Sequence, residues 1–232
     1  MFLRWGPHIL TNFVDTWTED LEHNLRVNFL RKDSVARQKL FWASKRGFDL
    51  VLGVLLLPVL IASGIVIAVL NPFLNPGPLL YRQERMGRYM RPFNIYKFRS
   101  MRSVSSRSRA AHDGLERDRI TALGHLMRKL RVDELPQIIN VLKGDMSFIG
   151  PRPDLYEHAC EYAMSVPHYR ERHSVRPGIS GLAQVTLGYA EGMDAFSAKA
   201  RRDDLYIRRA GFRQEALILW LTLVAVVRAA GH

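Results

Sequence analysis

Two adjacent carboxylates, Asp133 and Glu134, are the residues in this sequence whose types and spacing most clearly indicate chemistry. They lie in the stretch RVDELPQIINVLKGDMSFIGPRP, residues 131–153. Pro136 disfavours the α conformation of the residue before it and suits the first turn of a helix, and Gly144 is a typical helix terminator. The sequence therefore predicts a short helix that begins at Pro136. Both carboxylates then lie directly before its N-terminus, where free backbone N–H groups and the helix dipole favour negative charge.

Basic residues around this pair of carboxylates indicate a phosphate ligand. Arg128 and Lys129 precede the pair, and Arg152 lies between Pro151 and Pro153, whose rings restrict the backbone. A guanidinium held in this way suits two parallel hydrogen bonds to a phosphate. Carboxylates alone would repel phosphate, whereas Mg²⁺ binds oxygen ligands of both kinds. The pattern favours Mg²⁺-dependent phosphoryl transfer over the alternative in which the two carboxylates only cap a helix.

The charge of the chain and the motifs it lacks limit the kinds of molecule it is expected to bind. Lys and Arg number 34 against 22 Asp and Glu, a net charge of +12 that indicates an anionic partner. The sequence has no motif of a nucleic-acid reader, and its basic residues flank a hydrophobic segment, so no nucleic acid is expected. It also lacks the motifs of P-loop NTPases, dinucleotide-binding proteins, zinc peptidases and α/β-hydrolases. The single Cys160 excludes an internal disulfide.

A hydrophobic segment predicts attachment to a membrane. Residues 50–70 (LVLGVLLLPVLIASGIVIAVL) carry no charge and would span about 31 Å as a helix. Basic residues occur on both sides, and the positive-inside rule favours a cytoplasmic location for each flank. Pro58, near the centre, removes a backbone hydrogen bond. These residues leave two alternatives open, a re-entrant helical hairpin and a spanning helix that tolerates the proline.

The other segments predict a small mixed α/β domain. Apolar residues at every fourth position between Phe13 and Phe29 indicate an amphipathic helix. Residues 78–101 indicate a β-hairpin around a glycine-containing turn, and residues 103–114 indicate a loop. Residues 118–130 indicate a helix, and the apolar run 215–227 a core or interfacial helix.

The motifs together resemble the bacterial sugar transferase family, the small monotopic phosphoglycosyl transferases that move a hexose 1-phosphate onto a polyprenyl phosphate. The resemblance covers residues 45–222. It runs in order through KRGFDLVLGVLLLP, YRQERMGR, FNIYKFRSM, RITALGHLMRKLRVDELPQIINVLKGDMSFIGPRP and RHSVRPGISGLAQV.

The resemblance implies a chemical mechanism. Asp133 would be the nucleophile that attacks the sugar-linked phosphorus of a nucleotide sugar, most often a UDP-sugar, and releases UMP. Polyprenyl phosphate would then take the sugar phosphate from the aspartyl intermediate, and Glu134 would bind Mg²⁺. The resemblance further implies eight substrate-binding residues: Lys97, Arg99, Arg128, Pro151, Arg152, Pro153, Arg176 and Gln184.

It also implies an architecture. In the family the proline equivalent to Pro58 kinks a re-entrant helix, which favours the hairpin. The expected fold is mixed α/β and mainly helical: an amphipathic extension (residues 1–44), a re-entrant membrane helix (45–75), and a catalytic domain (76–232) with a short β-hairpin and interfacial helices. Its location would be the cytoplasmic face of the bacterial inner membrane, in contact with phospholipid, where it would begin synthesis of a surface glycan. Homo-oligomerisation stays open.

Three positions depart from the family pattern. Arg131 stands where a small hydroxyl residue is usual, Leu57 replaces a frequent serine before Pro58, and no arginine beside a glycine follows Gln184 and Val185. A second function class is therefore kept, a membrane-anchored polybasic binding module without catalysis. Intact Asp133, Glu134 and Arg152 argue against it.

Overall fold

A long apolar helix, α1 (Ser34–Leu74), is the first element of the computed structural model, which describes residues 34–102, 119–187 and 193–230. The chain divides into two compact units, Met1–Ala43 and Ser44–His232. The amphipathic helix expected between Phe13 and Phe29 and the loop expected at 103–114 lie outside the described residues. The boundaries expected at residues 44 and 75 stay predictions.

Helix α1 continues through Pro58 and Pro72 without interruption. Within the described ranges it is the one helix that is long and apolar enough to cross a membrane. From Lys45 onwards, every fourth residue of α1 is buried near both ends of the apolar segment 50–70. The opposite face of the helix exposes apolar side chains. This part of α1 therefore packs against the unit Ser44–His232 along one face only. The buried residues are Lys45, Asp49, Gly53, Ile67 and Asn71, followed by Asn75 just after the helix, and side chains more than half exposed include Val51, Leu55, Ile61, Ile65 and Phe73.

The β-hairpin expected from the sequence is confirmed. Strands β1 (Leu80–Met86) and β2 (Pro92–Phe98) pair antiparallel, with Leu80 opposite Phe98 and Met86 opposite Pro92. Directly opposed residues lie on the same face of such a pair. Arg85 therefore shares a face with Ile95 and Lys97.

The elements around Asp133 and Glu134 follow the local rules of the sequence. Helix α2 (Ala122–Lys129) begins after Thr121, whose Oγ1 accepts a hydrogen bond from the Gly124 N–H at 3.0 Å. A 3-10 turn, Val132–Glu134, carries the two carboxylates, and helix α3 (Gln137–Lys143) follows Pro136. Gly144 ends α3 with a φ of 94°, a conformation that only glycine adopts readily.

The remaining elements pack around this centre. Strand β3 (Ser147–Ile149) pairs parallel with β4 (Gly178–Ser180). Helix α4 (Tyr156–Ser165) and a 3-10 segment (Tyr169–Ser174) lie between these strands in the chain. The chain continues with α5 (Leu182–Leu187), α6 (Met193–Arg208) and α7 (Phe212–Ala230), the last of which contains the apolar run 215–227.

Three apolar clusters anchor the hairpin to the other elements. Burial of such side chains contributes roughly 1.5–3 kcal/mol each, and it fixes β1 and β2 against α1, α2, α3, α4 and α6. The mainly helical, mixed fold expected from the sequence is confirmed, while the re-entrant geometry stays a prediction. The clusters are Met86 with Ala159, Tyr162, Val166, Tyr169 and Ala200; Phe98 with Ile67, Leu123 and Met127; and Ile95 with Val141 and Met146.

Candidate active site

Asp133 lies in the 3-10 turn between α2 and α3, with its side chain turned into the molecule. The turn begins after Arg131, whose φ of 57° is in the left-handed region. Asp133 is 7% exposed, and its Oδ1 atom is buried without a hydrogen-bond partner. Burial, with a smaller contribution from the charge of Glu134, raises the pKa of Asp133 above its usual value. One carboxylate oxygen is thus free of protein partners.

Glu134 is held differently, although it is the next residue. Its Oε1 atom accepts a hydrogen bond from Lys97 Nζ at 2.8 Å and another from Arg152 Nη2. Burial alone would raise the pKa of Glu134, but the charges of Arg152 and Lys97 outweigh it and hold the pKa well below the usual range. The pKa values of the two neighbouring carboxyl groups are therefore shifted in opposite directions. Opposite shifts of this kind suit two acids in one site to different chemical roles.

Lys97 and Arg152, which both contact Glu134, come from two distant parts of the chain. Lys97 extends from β2, and burial lowers its pKa. Arg152 lies between two buried prolines, and its Nη1 donates to the Ile179 carbonyl of β4 at 3.2 Å. The structure thus places Lys97 and Arg152 in contact with Glu134, while their expected role in binding substrate stays a prediction.

Arg128 also lies close to Asp133. In the last turn of α2, its Nε donates to Ser100 Oγ at 3.0 Å, and its Nη2 lies 3.3 Å from Met101 Sδ. Its positive charge is one of those that lower the pKa of Asp133 against the effect of burial. Arg128 can therefore act electrostatically at Asp133 while its position is fixed by the residues that follow β2.

Arg99, expected to bind phosphate, contacts the chain just after α1. Its Nε donates to the Pro78 carbonyl at 2.6 Å, and its Nη2 donates to the Asn75 carbonyl. The Asn75 side chain donates in return to the Arg99 carbonyl at 2.6 Å. These bonds give Arg99 a structural task, and phosphate binding by this residue stays a prediction.

Arg176 and Gln184, the other expected substrate contacts, lie beyond the immediate surroundings of Glu134. Arg176 Nε donates to the carbonyl of Gly144 at 2.9 Å. Burial, followed by the charges of Arg46 and Arg88, lowers its pKa. Gln184 lies in α5, and its Oε1 is buried without a hydrogen-bond partner. That free amide oxygen suits a donor group on a ligand.

Arg85 is a site residue that the sequence reasoning did not single out. Its Nη1 donates to the Pro153 carbonyl at 3.2 Å, its Nη2 donates to Gln83 Oε1 at 2.7 Å, and its Nε is buried without a partner. Burial, followed by the nearby charge of Arg152, lowers its pKa. The sequence could have indicated this residue, because strand alternation in the expected hairpin places Arg85 on the same face as Lys97.

The charges and the free oxygen define what the site can do. Four cations surround two carboxylates, so the site retains excess positive charge, which suits a diphosphate anion. Among the described residues no three potential metal-binding side chains cluster together. Mg²⁺ nonetheless often binds one or two carboxylates together with substrate phosphates and water. Glu134 fits that manner of binding through Oε2, the oxygen that neither Lys97 nor Arg152 contacts.

Comparisons with known proteins agree with this chemistry. The sequence model of the bacterial sugar transferase family matches residues 40–229. A UDP-N-acetylgalactosamine-undecaprenyl-phosphate N-acetylgalactosaminephosphotransferase of Aeromonas hydrophila is 38% identical over 229 residues, which are 97% of this chain and 54% of that protein. A UDP-glucose:undecaprenyl-phosphate glucose-1-phosphate transferase of Xanthomonas campestris pv. campestris is 39% identical over 201 residues, 85% of this chain and 42% of that protein.

A shorter relative matches as well. A putative undecaprenyl-phosphate N-acetylgalactosaminyl 1-phosphate transferase of Bacillus subtilis is 36% identical over 145 residues, 62% of this chain and 79% of that protein. This chain spans about half the length of the Aeromonas and Xanthomonas proteins.

Proposed function

Since the chain belongs to the bacterial sugar transferase family, we propose that it transfers a sugar 1-phosphate from a UDP-sugar to polyprenyl phosphate and releases UMP. The Aeromonas and Xanthomonas relatives act on undecaprenyl phosphate and on UDP-N-acetylgalactosamine and UDP-glucose, respectively. The product, a polyprenyl diphosphate sugar, would be the first lipid-linked intermediate of a surface glycan.

The observation that carries this proposal is the contrast between Asp133 and Glu134. Asp133 has a buried oxygen without a protein partner, while Glu134 is held by two cations. The free oxygen attacks the sugar-linked phosphorus, the bond from that phosphorus to the UMP oxygen breaks, and UMP leaves with the electron pair. An oxygen of polyprenyl phosphate then attacks the same phosphorus and displaces Asp133.

The cations of the site bind and orient the diphosphate. Lys97 and Arg152, which already contact Glu134, face the negative charge that grows on the leaving phosphate, and electrostatic stabilisation of this kind is a large term in phosphoryl transfer. Arg128 and Arg85 add positive charge at the edges of the site. Mg²⁺ held by Glu134 and the substrate phosphates would neutralise further charge when bound.

We also propose that both ends of α1 lie at the cytoplasmic face. Before Pro58, Lys45 pairs with Glu215, Asp49 accepts hydrogen bonds from Ser147 and the Phe148 N–H, and Gly53 packs on Leu142. After Pro58, Ile67 packs with Phe98, and Asn75 bonds to Arg99. Because both halves contact the same unit, a membrane crossing between them would break one set of contacts. The exposed apolar face would lie in the lipid, which supports a re-entrant arrangement at the inner membrane.

Cysteine labelling tests this topology. In a Cys160→Ser background, Ser44→Cys and Pro76→Cys place thiols at exposed positions on either side of the apolar segment 50–70. An impermeant maleimide should label neither site in intact spheroplasts and both sites after permeabilisation. Labelling of one site from outside would contradict the re-entrant arrangement and support a spanning helix.

Release of UMP tests the function. Purified protein should release UMP from a UDP-sugar in the presence of polyprenyl phosphate and Mg²⁺, with UDP-glucose and UDP-N-acetylgalactosamine as the first donors of a wider panel. A chelator should stop turnover. Given donor alone, the protein should release at most one UMP per site and should retain label from the sugar phosphate after quenching. No UMP from any donor would support the binding module instead, and turnover without label would support direct displacement.

A further inference from the structure

A second buried group of charged residues lies behind the loop that carries Arg152. It consists of Asp154, Tyr169, Arg172, Lys199 and Asp203 and is called the Arg172 cluster here. Resting on the proposed function, we propose that Arg172 is a positioning residue: it holds the backbone of Arg152 so that the Arg152 guanidinium meets Glu134 and the donor phosphate.

Each nitrogen of the Arg172 guanidinium has a partner. Nε donates to Asp203 Oδ2 at 2.9 Å, and Nη1 donates to Asp154 Oδ2 and to Tyr169 Oη, the latter at 3.2 Å. Nη2 donates to the carbonyl oxygen of Arg152 at 2.8 Å. Arg172 itself is 2% exposed. The bond from Nη2 is the one that joins the cluster to the active site.

The loop that receives this bond depends on donors from elsewhere. Pro151 and Pro153 have no N–H group, so the loop can make few backbone bonds of its own. Its four successive carbonyls nevertheless all accept hydrogen bonds, from three separate parts of the chain. The donors are Gly178 N to Pro151 at 2.9 Å, Arg172 Nη2 to Arg152 at 2.8 Å, Arg85 Nη1 to Pro153 at 3.2 Å and Met86 N to Asp154 at 3.0 Å.

The position of this backbone sets the position of the side chain that does chemistry. Arg152 reaches Glu134 with Nη2 and the Ile179 carbonyl with Nη1, so its guanidinium is fixed at the far end by two acceptors. Loss of the bond from Arg172 leaves the carbonyl of Arg152 without its donor at the near end, while the bonds to the neighbouring carbonyls remain. A displacement of about 1 Å in a positioning group can lower a rate by about 10²-fold.

Stability alone is a weak explanation for the cluster. Buried ion pairs often stabilise a fold no better than apolar residues of similar size. The side chains of Arg172 and Asp203 are each 1% exposed, so their desolvation is close to complete. Their contacts instead join α6, which carries Lys199 and Asp203, to the loop of Arg152.

A double-mutant cycle tests the proposal on the purified full chain. Arg172→Lys keeps one positive charge but cannot reach all the partners of a guanidinium. We expect it to lower kcat/KM for the UDP-sugar by at least about tenfold, of the order that a positioning defect produces, and to leave KM for polyprenyl phosphate within about twofold. In an Arg152→Lys background the same change should cost less than about twofold, because the side chain it positions is already altered. The same double-mutant cycle can be measured without turnover, by determining the dissociation constant of UMP for each variant by calorimetry.

The controls separate the possible failures. Arg208→Gln removes an exposed ion pair with Asp204 on the same helix and should leave both constants unchanged. If Arg172→Lys does not fold, Asp203→Asn replaces it in the cycle, since Asp203 contacts Arg172 directly. If the wild type releases UMP and Arg172→Lys lowers kcat/KM equally in the wild-type and Arg152→Lys backgrounds, the positioning role is overturned and the proposed function is not. A wild type that releases no UMP would overturn the proposed function.

Discussion

Asp154 and Asp133, which belong to the two buried groups of charges that meet at Arg152, differ in how their oxygens are paired. In the Arg172 cluster, all three nitrogens of the guanidinium have acceptors, and Asp154 accepts from Arg172, Lys199 and Tyr169. In the active site, Asp133 has a buried oxygen with no partner. Asp203 Oδ1 in the cluster is also buried without a partner, so an unpaired buried oxygen alone does not mark a reactive carboxylate. Asp133 differs from both cluster carboxylates because it lies beside Glu134 and the cations that hold Glu134.

The pKa directions of two aspartates express the same contrast. Burial raises the pKa of each carboxyl. For Asp154 the charges of Arg172 and Lys199 outweigh burial, so its pKa lies well below the usual range. For Asp133 burial dominates, and its pKa is raised. The number of cations in direct contact, rather than depth, therefore decides which carboxylate is held as a stable anion.

The largest expected effect is that of Asp133→Asn on turnover. The variant keeps the shape of the side chain but removes the anionic nucleophile, so UMP release should fall at least about 10³-fold. Because the folded state disfavours the ionised form of Asp133, its loss should leave the melting temperature unchanged or higher. Assays of UMP release and thermal unfolding in detergent measure the two quantities. Near-normal turnover would exclude Asp133 as the nucleophile.

Glu134→Gln should also lower turnover, by roughly 10²- to 10³-fold, the range found when a preorganised electrostatic group is removed. The cause of this loss differs from that in Asp133→Asn, because the amide of Gln binds Mg²⁺ and the cations Lys97 and Arg152 less strongly than the carboxylate does. Raised Mg²⁺ should therefore recover part of the activity of Glu134→Gln and none of that of Asp133→Asn. A titration of Mg²⁺ against UMP release for both variants checks this. Equal responses to Mg²⁺ would remove the assigned division of roles.

Asp154→Asn should act on stability first. It leaves Arg172 and Lys199 without their shared anion, and breaking a buried pair on one side costs about 3 kcal/mol or more. The unfolding free energy should fall by that order, with a clear drop in melting temperature. Turnover per folded molecule should fall less than in Asp133→Asn. A variant that unfolds like wild type would show that this cluster does not support the loop of Arg152.

A smaller effect is expected from pH through His173. Burial, followed by the charge of Arg172, lowers the pKa of His173 to about 4. The unfolded chain binds a proton near pH 6.5, so the folded state is favoured above that pH and loses stability as the pH falls towards 4. Between pH 7.5 and 5 the loss from this residue is about 2 kcal/mol. His173→Gln should reduce the pH dependence of unfolding by that amount, measured as melting temperature against pH. An unchanged pH profile would contradict the burial of His173 as a neutral side chain.

Several features of the site could be read from the sequence because they depend on neighbouring residues. Pro136 and Gly144 bound α3, and the alternation of β1 and β2 around a glycine-containing turn gives the hairpin. Arg152 between two prolines is likewise a local feature. Rules of helix capping, turns and strand alternation operate over a few residues, so the sequence contains all the information they need.

The partners of long charged side chains could not be read in the same way. Arg99 was expected at a phosphate, and the structure adds bonds to the carbonyls of Asn75 and Pro78, just after α1, that the sequence did not indicate. Arg85 and Arg172 were not expected near the site, yet both hold the loop of Arg152. An arginine can reach several acceptors, and which one it meets depends on which element packs beside it.

The sequence by itself determined the order of the motifs, the place of Asp133 and Glu134 before a helix, the apolar length of α1 and the family that these features indicate. Only the tertiary structure decided that Glu134 is paired and Asp133 is not, since the cations that pair Glu134 come from β2 and from the loop after β3. It also decided that both halves of α1 contact one unit. The physical reason is that burial and pairing are properties of the space around a side chain, which contacts between distant parts of the chain create and which no local pattern of residues specifies.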